Sequence, residues 1–291
     1  MIDLHTHTTA SDGRLSPAAL VARAHGAGVT ILSVTDHDTV AAAQPAESAC
    51  SDLGIRFVPG IEITAILEET DVHVLGYFID YRSASLRDFL AEQRMQRIDR
   101  VRQMVERLAT FGIALDVDAI LAPAIDDPQK SVGRPWIARA LIASGHASDT
   151  SDAFARWLAR GRPAFVPRAG APPAEVVARI HDASGLASLA HPGLLGRDEW
   201  IADLAAKGLD AVEAFHSKHD AVATARYLSI AASLGLAVSG GSDYHADEAH
   251  GPGSPGSVSL PPERFDELAA RCQSGRRAAS RATASGADTS S

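Results

Sequence analysis

Short apolar runs recur along the chain, each stopping at a polar cluster, with stretches of helical periodicity between them. The runs fall at residues 2–5, 30–35 (TILSVT), 56–63 (RFVPGIEI) and 72–79 (VHVLGYFI) and, after a long gap, at 186–190 (LASLA), 209–215 (LDAVEAF) and 236–239 (LAVS). Their length and β-branched content predict seven strands. SPAALVARAHGAG reads as a helix with Ser16 as N-cap, Pro17 in the first turn and a glycine stop. APPAEVVARIHDASG, EWIADLAAKG and DAVATARYLSIAASLG repeat the theme. Near-continuously apolar strands alternating with helices predict an α/β chain with a parallel sheet, and seven of them suggest a barrel.

Polar residues collect where the strands end. The first run leads into His5, His7 and Asp12, the second into Asp36, His37 and Asp38, and the third carries Glu62. The fourth carries His73, the fifth ends at His191, the sixth at His216, and the seventh leads into Asp243 and His245. Residues i and i+2 of a strand share a face, so His5 and His7 would present two imidazoles in one direction. Parallel barrels gather catalytic groups from several strands at the C-terminal mouth. His73, and to a lesser degree Glu62, fall early in their runs and would need a bend or bulge to reach it. The pattern points to a cluster of imidazole and carboxylate metal ligands.

Composition and charge narrow the class. The 291 residues are 46% hydrophobic and 22% charged, the make-up of a globular protein, and no apolar run approaches a membrane span. His5 stands too early for a signal peptide to precede it, and Cys50 and Cys272 lie outside every motif, so a reducing, cytoplasmic setting is expected. A formal net charge of −9 argues against a non-specific nucleic-acid binder. Residues 87–168 hold 13 Lys and Arg against 10 Asp and Glu, leaving 14 against 26 elsewhere. A mildly basic segment inside an acidic body suits an anionic small substrate. No DNA-binding module or membrane partner is expected, and the sequence leaves the oligomeric state open.

DLHTHTTASDG, TDHD, GIEIT, HVLGYF, AHP and GSDYH, in that order, resemble the PHP (polymerase and histidinol phosphatase) family of metal-dependent phosphoesterases. The segment SVGRPWIARALIASGHASDTSDAFARWLARGRPAFVPR is similar to the helical insertion of one subgroup, the 3′,5′-nucleoside bisphosphate phosphatases and the 5′→3′ exoribonuclease ribonuclease AM. The resemblance implies a distorted (β/α)7 barrel with a mostly helical insertion between strands 4 and 5. The barrel would take residues 1–84 and 166–275, the insertion 85–165, and a disordered tail 276–291. It also implies two to three divalent ions, Mn, Fe or Zn. One would be held by His5, His7, Glu62 and Asp243, a second by Glu62, His73 and His191, and a third by Asp12, His37 and His245. Asp12 stands where histidinol phosphatases of the family place a histidine.

The expected reaction is attack on phosphorus by a hydroxide held between the metals that Glu62 bridges, with His191, His216 and Asp243 as candidates for the acid that protonates the leaving oxygen. Asp36 or Asp38 would orient an imidazole, and Asp38 serves equally well as a helix N-cap. Arg134, at the start of a helix, is expected to hold a second phosphate, with Lys218 and Arg168 as further substrate contacts. The run at 90–111 predicts an amphipathic helix whose Arg94, Arg97, Arg100, Arg102 and Arg107 are mostly solvated. The expected substrate is a 3′,5′-nucleoside bisphosphate or a short 5′-phosphorylated RNA. The alternatives are another phosphomonoester such as histidinol phosphate, amide hydrolysis, or a non-catalytic metal-binding module.

Overall fold

In the computed structural model, which describes residues 1–246 and 253–287, seven strands lie in chain order across one sheet. They are β1 (Ile2–Asp3), β2 (Ile31–Val34), β3 (Arg56–Leu67), β4 (Thr70–Tyr77), β5 (Leu186–Leu189), β6 (Ala211–His216) and β7 (Ala237–Gly241). Helices α1 (Pro17–Gly26) and α2 (Ala43–Asp52) separate the first three strands. Between β4 and β5 come α3 (Ala84–Thr110), α4 (Val117–Asp126), α5 (Arg134–Ala143), α6 (Thr150–Ala153), a π-helical turn (Phe154–Leu158) and α7 (Pro173–Asp182). The chain then passes through α8 (Pro192–Leu195), α9 (Glu199–Ala206), α10 (Ala221–Leu234) and α11 (Pro262–Ala287). Ser16 caps α1 through the amide of Ala19, and Asp220 caps α10, which Gly235 ends at φ 65°.

The sheet is not wholly parallel, as the alternation of elements led one to expect. β4 pairs antiparallel with both β3 and β5, and the other neighbours are parallel. The cause is a two-residue turn at Glu68 and Glu69, both at positive φ (49° and 59°), which folds β4 back along β3. That reversal brings the beginning of β4, and with it His73, level with Thr64, beyond Glu62 in the direction β3 runs. No bend or bulge is needed.

The barrel closes through backbone contacts just past β1 and β7. Asp243 N–H donates to His5 C=O at 2.8 Å, and His7 N–H to Tyr244 C=O at 2.9 Å. Gly241 is required there, because a Cβ would stand 2.3 Å from His5 N. The buried Asp3 carboxylate ties the seam, accepting from Ser242 N–H (2.9 Å), Ser242 Oγ–H (2.6 Å), Gly256 N–H (2.7 Å) and His5 N–H (3.3 Å).

Buried side chains from six of the strands fill the principal core, including Ile2, Ile61, Val74, Leu189 and Val212, while Leu32 and Val34 of β2 pack in a neighbouring cluster with α1 and α2. A separate apolar cluster, built by Met104, Leu108, Leu121, Ile137, Leu141 and Leu158, holds α3 to α6 together. The arginines of α3 depart from a solvated face. Arg97 and Arg100 are about nine-tenths covered, Arg94 and Arg107 bond backbone carbonyls, and Arg102 pairs with Asp99 at the surface. The helix α11 spans Pro262–Ala287, and residues 288–291, within the tail expected from residue 276, lie outside the described ones. Both cysteines are buried, and among the described residues no helix is long and apolar enough to cross a membrane.

Asp3→Ala removes four acceptor contacts at the seam and leaves buried N–H groups unpaired. We expect a loss of about 3 kcal/mol or more in denaturant unfolding. A loss below about 1 kcal/mol, the net worth of one ordinary hydrogen bond, would show that closure does not depend on this carboxylate.

Candidate metal centre

Glu62 lies in the middle of β3 and is buried, and imidazoles face both of its oxygens. Oε2 is 3.3 Å from His5 Nε2, 3.2 Å from His7 Nε2 and 3.2 Å from His37 Nδ1. Oε1 is 2.7 Å from His73 Nδ1 and 3.1 Å from His191 Nε2. Burial alone would raise the Glu62 carboxyl; His37, His73 and His5 outweigh it and hold it well below the usual range. Asp12 and Asp243 are likewise held low against burial, chiefly by His245 and His37 and by His5 and His245 respectively.

Asp243 Oδ1 completes one set of donors, 3.3 Å from His5 Nε2 and 3.2 Å from His7 Nε2. Two nitrogens thus lie 3.2–3.3 Å from the same two oxygens. Around Asp12, His245 Nε2 approaches Oδ1 at 3.3 Å and His37 Nε2 approaches Oδ2 at 3.7 Å. His7, Asp12, His37 and His245 form one group with the reach to hold an ion; His37, Glu62 and His73, His5, Glu62 and His191, and His5, His216 and Asp243 form others.

The donor set fits divalent metal for a further reason. Both nitrogens of His7, and Nδ1 of His37 and of His73, are buried and approach carboxylates closely without making a hydrogen bond. Imidazoles and carboxylates that crowd together without hydrogen-bond geometry are placed as co-ligands are.

Outer partners fix the imidazole tautomers. Glu213 Oε1 accepts from His5 Nδ1 at 2.9 Å, turning the Nε2 lone pair toward Glu62 and Asp243. Its Oε2 accepts from His191 N–H at 2.7 Å, which steadies His191 at φ 27°. The Asp243 carbonyl accepts from His245 Nδ1 at 2.9 Å and turns Nε2 toward Asp12. His216 is arranged the other way. Its Nδ1 accepts from Lys218 N–H at 3.1 Å, so the neutral ring carries its proton on Nε2, directed at Asp243 Oδ2 3.3 Å away.

Neither Asp36 nor Asp38 orients an imidazole, contrary to expectation. Asp36 accepts from Thr8 N–H, Thr8 Oγ–H and Ser11 Oγ–H and shapes the loop that carries Asp12. Asp38 caps no helix, since α2 begins only at Ala43; its carboxylate accepts from Arg97 and Arg168. Arg168 and Arg134 line a cavity of about 140 Å³ together with Arg97, Arg100, His37 and His73. Lys218 is exposed and is not among the residues lining it. The cavity has room for about four or five waters at roughly 30 Å³ each.

Asp71 Oδ2 accepts there from Arg134 (3.3 Å) and Arg100 (3.5 Å). Arg100 Nη2 and Arg168 Nε are buried and have no hydrogen-bond acceptor among the described residues. Arg97, Arg100, Asp71 and Glu213 were not anticipated as site residues. The one sequence signal for Glu213 is a carboxylate inside an otherwise apolar strand.

Glu213→Gln puts an amide N–H where His5 Nδ1–H or His191 N–H needs an acceptor. We expect metal affinity to fall by about 10–100-fold, measured by competition with a chelator, with the fold retained. Unchanged retention would remove Glu213 from the centre.

Residues 3–128 match the model of the PHP domain. The chain is 36% identical over 252 residues to the 5′-3′ exoribonuclease Rnm of Escherichia coli, covering 84% of each chain. It is 33% identical over 266 residues to the 3′,5′-nucleoside bisphosphate phosphatase of Chromobacterium violaceum, covering 90% of this chain and 93% of that one. A provisionally assigned metal-dependent phosphoesterase from Bifidobacterium adolescentis superimposes with a TM-score of 0.84 at 33% identity, over 92% of this chain and 95% of the other. The fold is the distorted (β/α)7 barrel, and the chain belongs to the PHP family as a metal-dependent phosphoesterase.

Proposed function

We propose that the enzyme hydrolyses the 3′-phosphoryl bond of a nucleotide that also carries a 5′-phosphate, either a 3′,5′-nucleoside bisphosphate or the first nucleotide of a short 5′-phosphorylated RNA. The observation that carries this reading is the arginine cavity beside His37 and His73. Four guanidiniums, Arg97, Arg100, Arg134 and Arg168, pair with two carboxylates, Asp71 in the lining and Asp38 behind it, for a formal surplus of +2 once Asp12, which also lines the cavity, is counted with the metal donors. The unpartnered Arg168 Nε and Arg100 Nη2 await acceptor oxygens. A phosphate monoester dianion matches both the charge and the donors, and the names of the two curated relatives point to the same substrate classes.

Residues 85–165 then act as a cap domain that brings Arg97, Arg100 and Arg134 to the barrel mouth. His5, His7, Glu62 and Asp243, then Glu62, His73 and His191, then Asp12, His37 and His245 would hold two to three ions, with Mn, Fe and Zn all compatible with mixed imidazole and carboxylate donors. Bound divalent ions lower the pKa of water and neutralise charge on phosphoryl oxygens. In both substrates the P–O3′ bond breaks, water oxygen joins phosphorus, and a proton goes to the 3′-oxygen. The bisphosphate yields a nucleoside 5′-monophosphate and orthophosphate; the RNA yields the same mononucleotide and a shortened chain with a new 5′-phosphate. The side chains of His191 and Asp243 are 15% and 13% exposed, whereas the His216 side chain is fully covered. His216 is therefore assigned to positioning Asp243, not to protonating the leaving oxygen.

Metal-loaded enzyme should turn over adenosine 3′,5′-bisphosphate with kcat/KM at least about 100-fold above p-nitrophenyl phosphate, since remote binding energy assists turnover. Histidinol phosphate should behave like the aryl ester. Arg134→Ala should remove most of that preference, costing the bisphosphate about 30-fold or more while changing the aryl ester by less than about threefold. Equal rates on all three phosphomonoesters, or equal losses in the variant, would sink the reading. Prolonged chelation should abolish every activity, and added Mn, Fe or Zn should restore it.

A further inference from the structure

Asp38 is joined by its backbone to the metal donors and by its side chain to the arginine cavity. It follows His37, and its N–H donates to the Glu62 carbonyl at 2.9 Å. Its own carbonyl accepts from Arg94 Nη1 at 3.1 Å. The carboxylate is fully buried: Oδ1 accepts from Thr64 N–H at 2.9 Å, and Oδ2 from both Arg97 Nε (2.5 Å) and Arg168 Nη2 (2.6 Å). The residue holds φ +51°, a conformation that persists only where its surroundings over-determine it.

One guanidinium would suffice to neutralise a carboxylate. Here a single oxygen receives two, from segments far apart in sequence, α3 and the link that precedes α7. It leaves them a joint surplus of one positive charge and keeps two buried cations from repelling each other. Arg168 gives Asp38 its Nη2 and keeps Nε without an acceptor, while Arg97 is further anchored by its Nη2 on Thr64 Oγ1 at 2.9 Å.

We propose that Asp38 is a positioning residue that sets the reach between the two phosphates of the substrate: it fixes Arg97 and Arg168 relative to His37 and Glu62, and so selects substrates with a second phosphate at that distance. This rests on the anion-cavity reading given above.

The test compares kcat and KM for adenosine 3′,5′-bisphosphate and p-nitrophenyl phosphate in the metal-loaded wild type, Asp38→Asn, Arg168→Ala and the double variant, with metal content measured in each. Asp38→Asn is expected to raise KM for the bisphosphate by about tenfold or more with kcat within about threefold, and to leave the aryl ester within about threefold. Arg168→Ala should add little to it, because both changes disable one unit. Equal losses on the two substrates, or fully multiplicative losses in the double variant, overturn the assignment. If Asp38→Asn does not fold, Thr64→Val decides, since it removes the hydroxyl that anchors Arg97. A rise in KM confined to the bisphosphate supports the proposal, and no change overturns it. A wild type without preference for the bisphosphate refutes the anion-cavity reading itself, and the assignment of Asp38 falls with it. A wild-type preference that Asp38→Asn leaves intact refutes only the role of Asp38.

Discussion

A carboxylate buried among five imidazoles is the constraint around which this molecule is arranged. Glu62 is 1% exposed, and the cost of taking its charge out of water is offset only where opposing groups approach both oxygens. Those groups arrive from five places along the chain, at residues 5, 7, 37, 73 and 191. A barrel can deliver them because its strand ends converge on one mouth, and the pairing of His37 with Glu62 extends the sheet to that point. The reversal of β4 is part of the same requirement. A parallel β4 would begin at the far end of the sheet and carry His73 away from the carboxylate.

Convergence is not enough, since imidazoles can turn either nitrogen inward. Glu213 and the Asp243 carbonyl each take an Nδ1 proton, which leaves the opposite nitrogen of His5 and His245 facing the acidic cluster. Lys218 N–H works in the opposite sense on His216 and makes that ring a donor to Asp243. The outer layer is in turn fixed by the fold, because Glu213 lies on β6 and the 216–218 turn begins where β6 ends. Tautomer choice thus passes from strand placement to backbone hydrogen bonds to the lone pairs at the centre.

Much of this was legible in the sequence. The seven runs, the capped helices and the polar residue at each strand end are local patterns, and periodicity exposes them. What escaped depends on partners distant in sequence or on turn chemistry without a signal. The β3–β4 turn is Glu68-Glu69, whereas two residues at positive φ usually announce themselves as Asn-Gly or Gly-Gly, so His73 looked misplaced on a parallel strand. Arg97 and Arg100 share a helix with the exposed Arg102, and composition alone does not separate an arginine that meets a buried aspartate from one that meets water. Asp38 had two plausible local roles and took neither, because its partners come from 59 and 130 residues away.

The division of labour between barrel and insertion has a consequence for specificity. The donors that surround Glu62 sit on strands and strand ends, while three of the four cavity arginines come from α3 and α5. On the proposed reading, altering those helices would change what is held beside the reacting phosphate without disturbing the groups that act on it. The cavity is also small and carries surplus positive charge on several sides. A terminal phosphate brings two negative charges and three free oxygens into such a space. An internal phosphodiester brings one charge and two ester arms that must leave again, so it loses both the Coulombic match and the fit. On the proposed reading, a cationic cavity beside the metal donors would favour chain ends and mononucleotides over the interior of a nucleic acid. It would do so without reading a base.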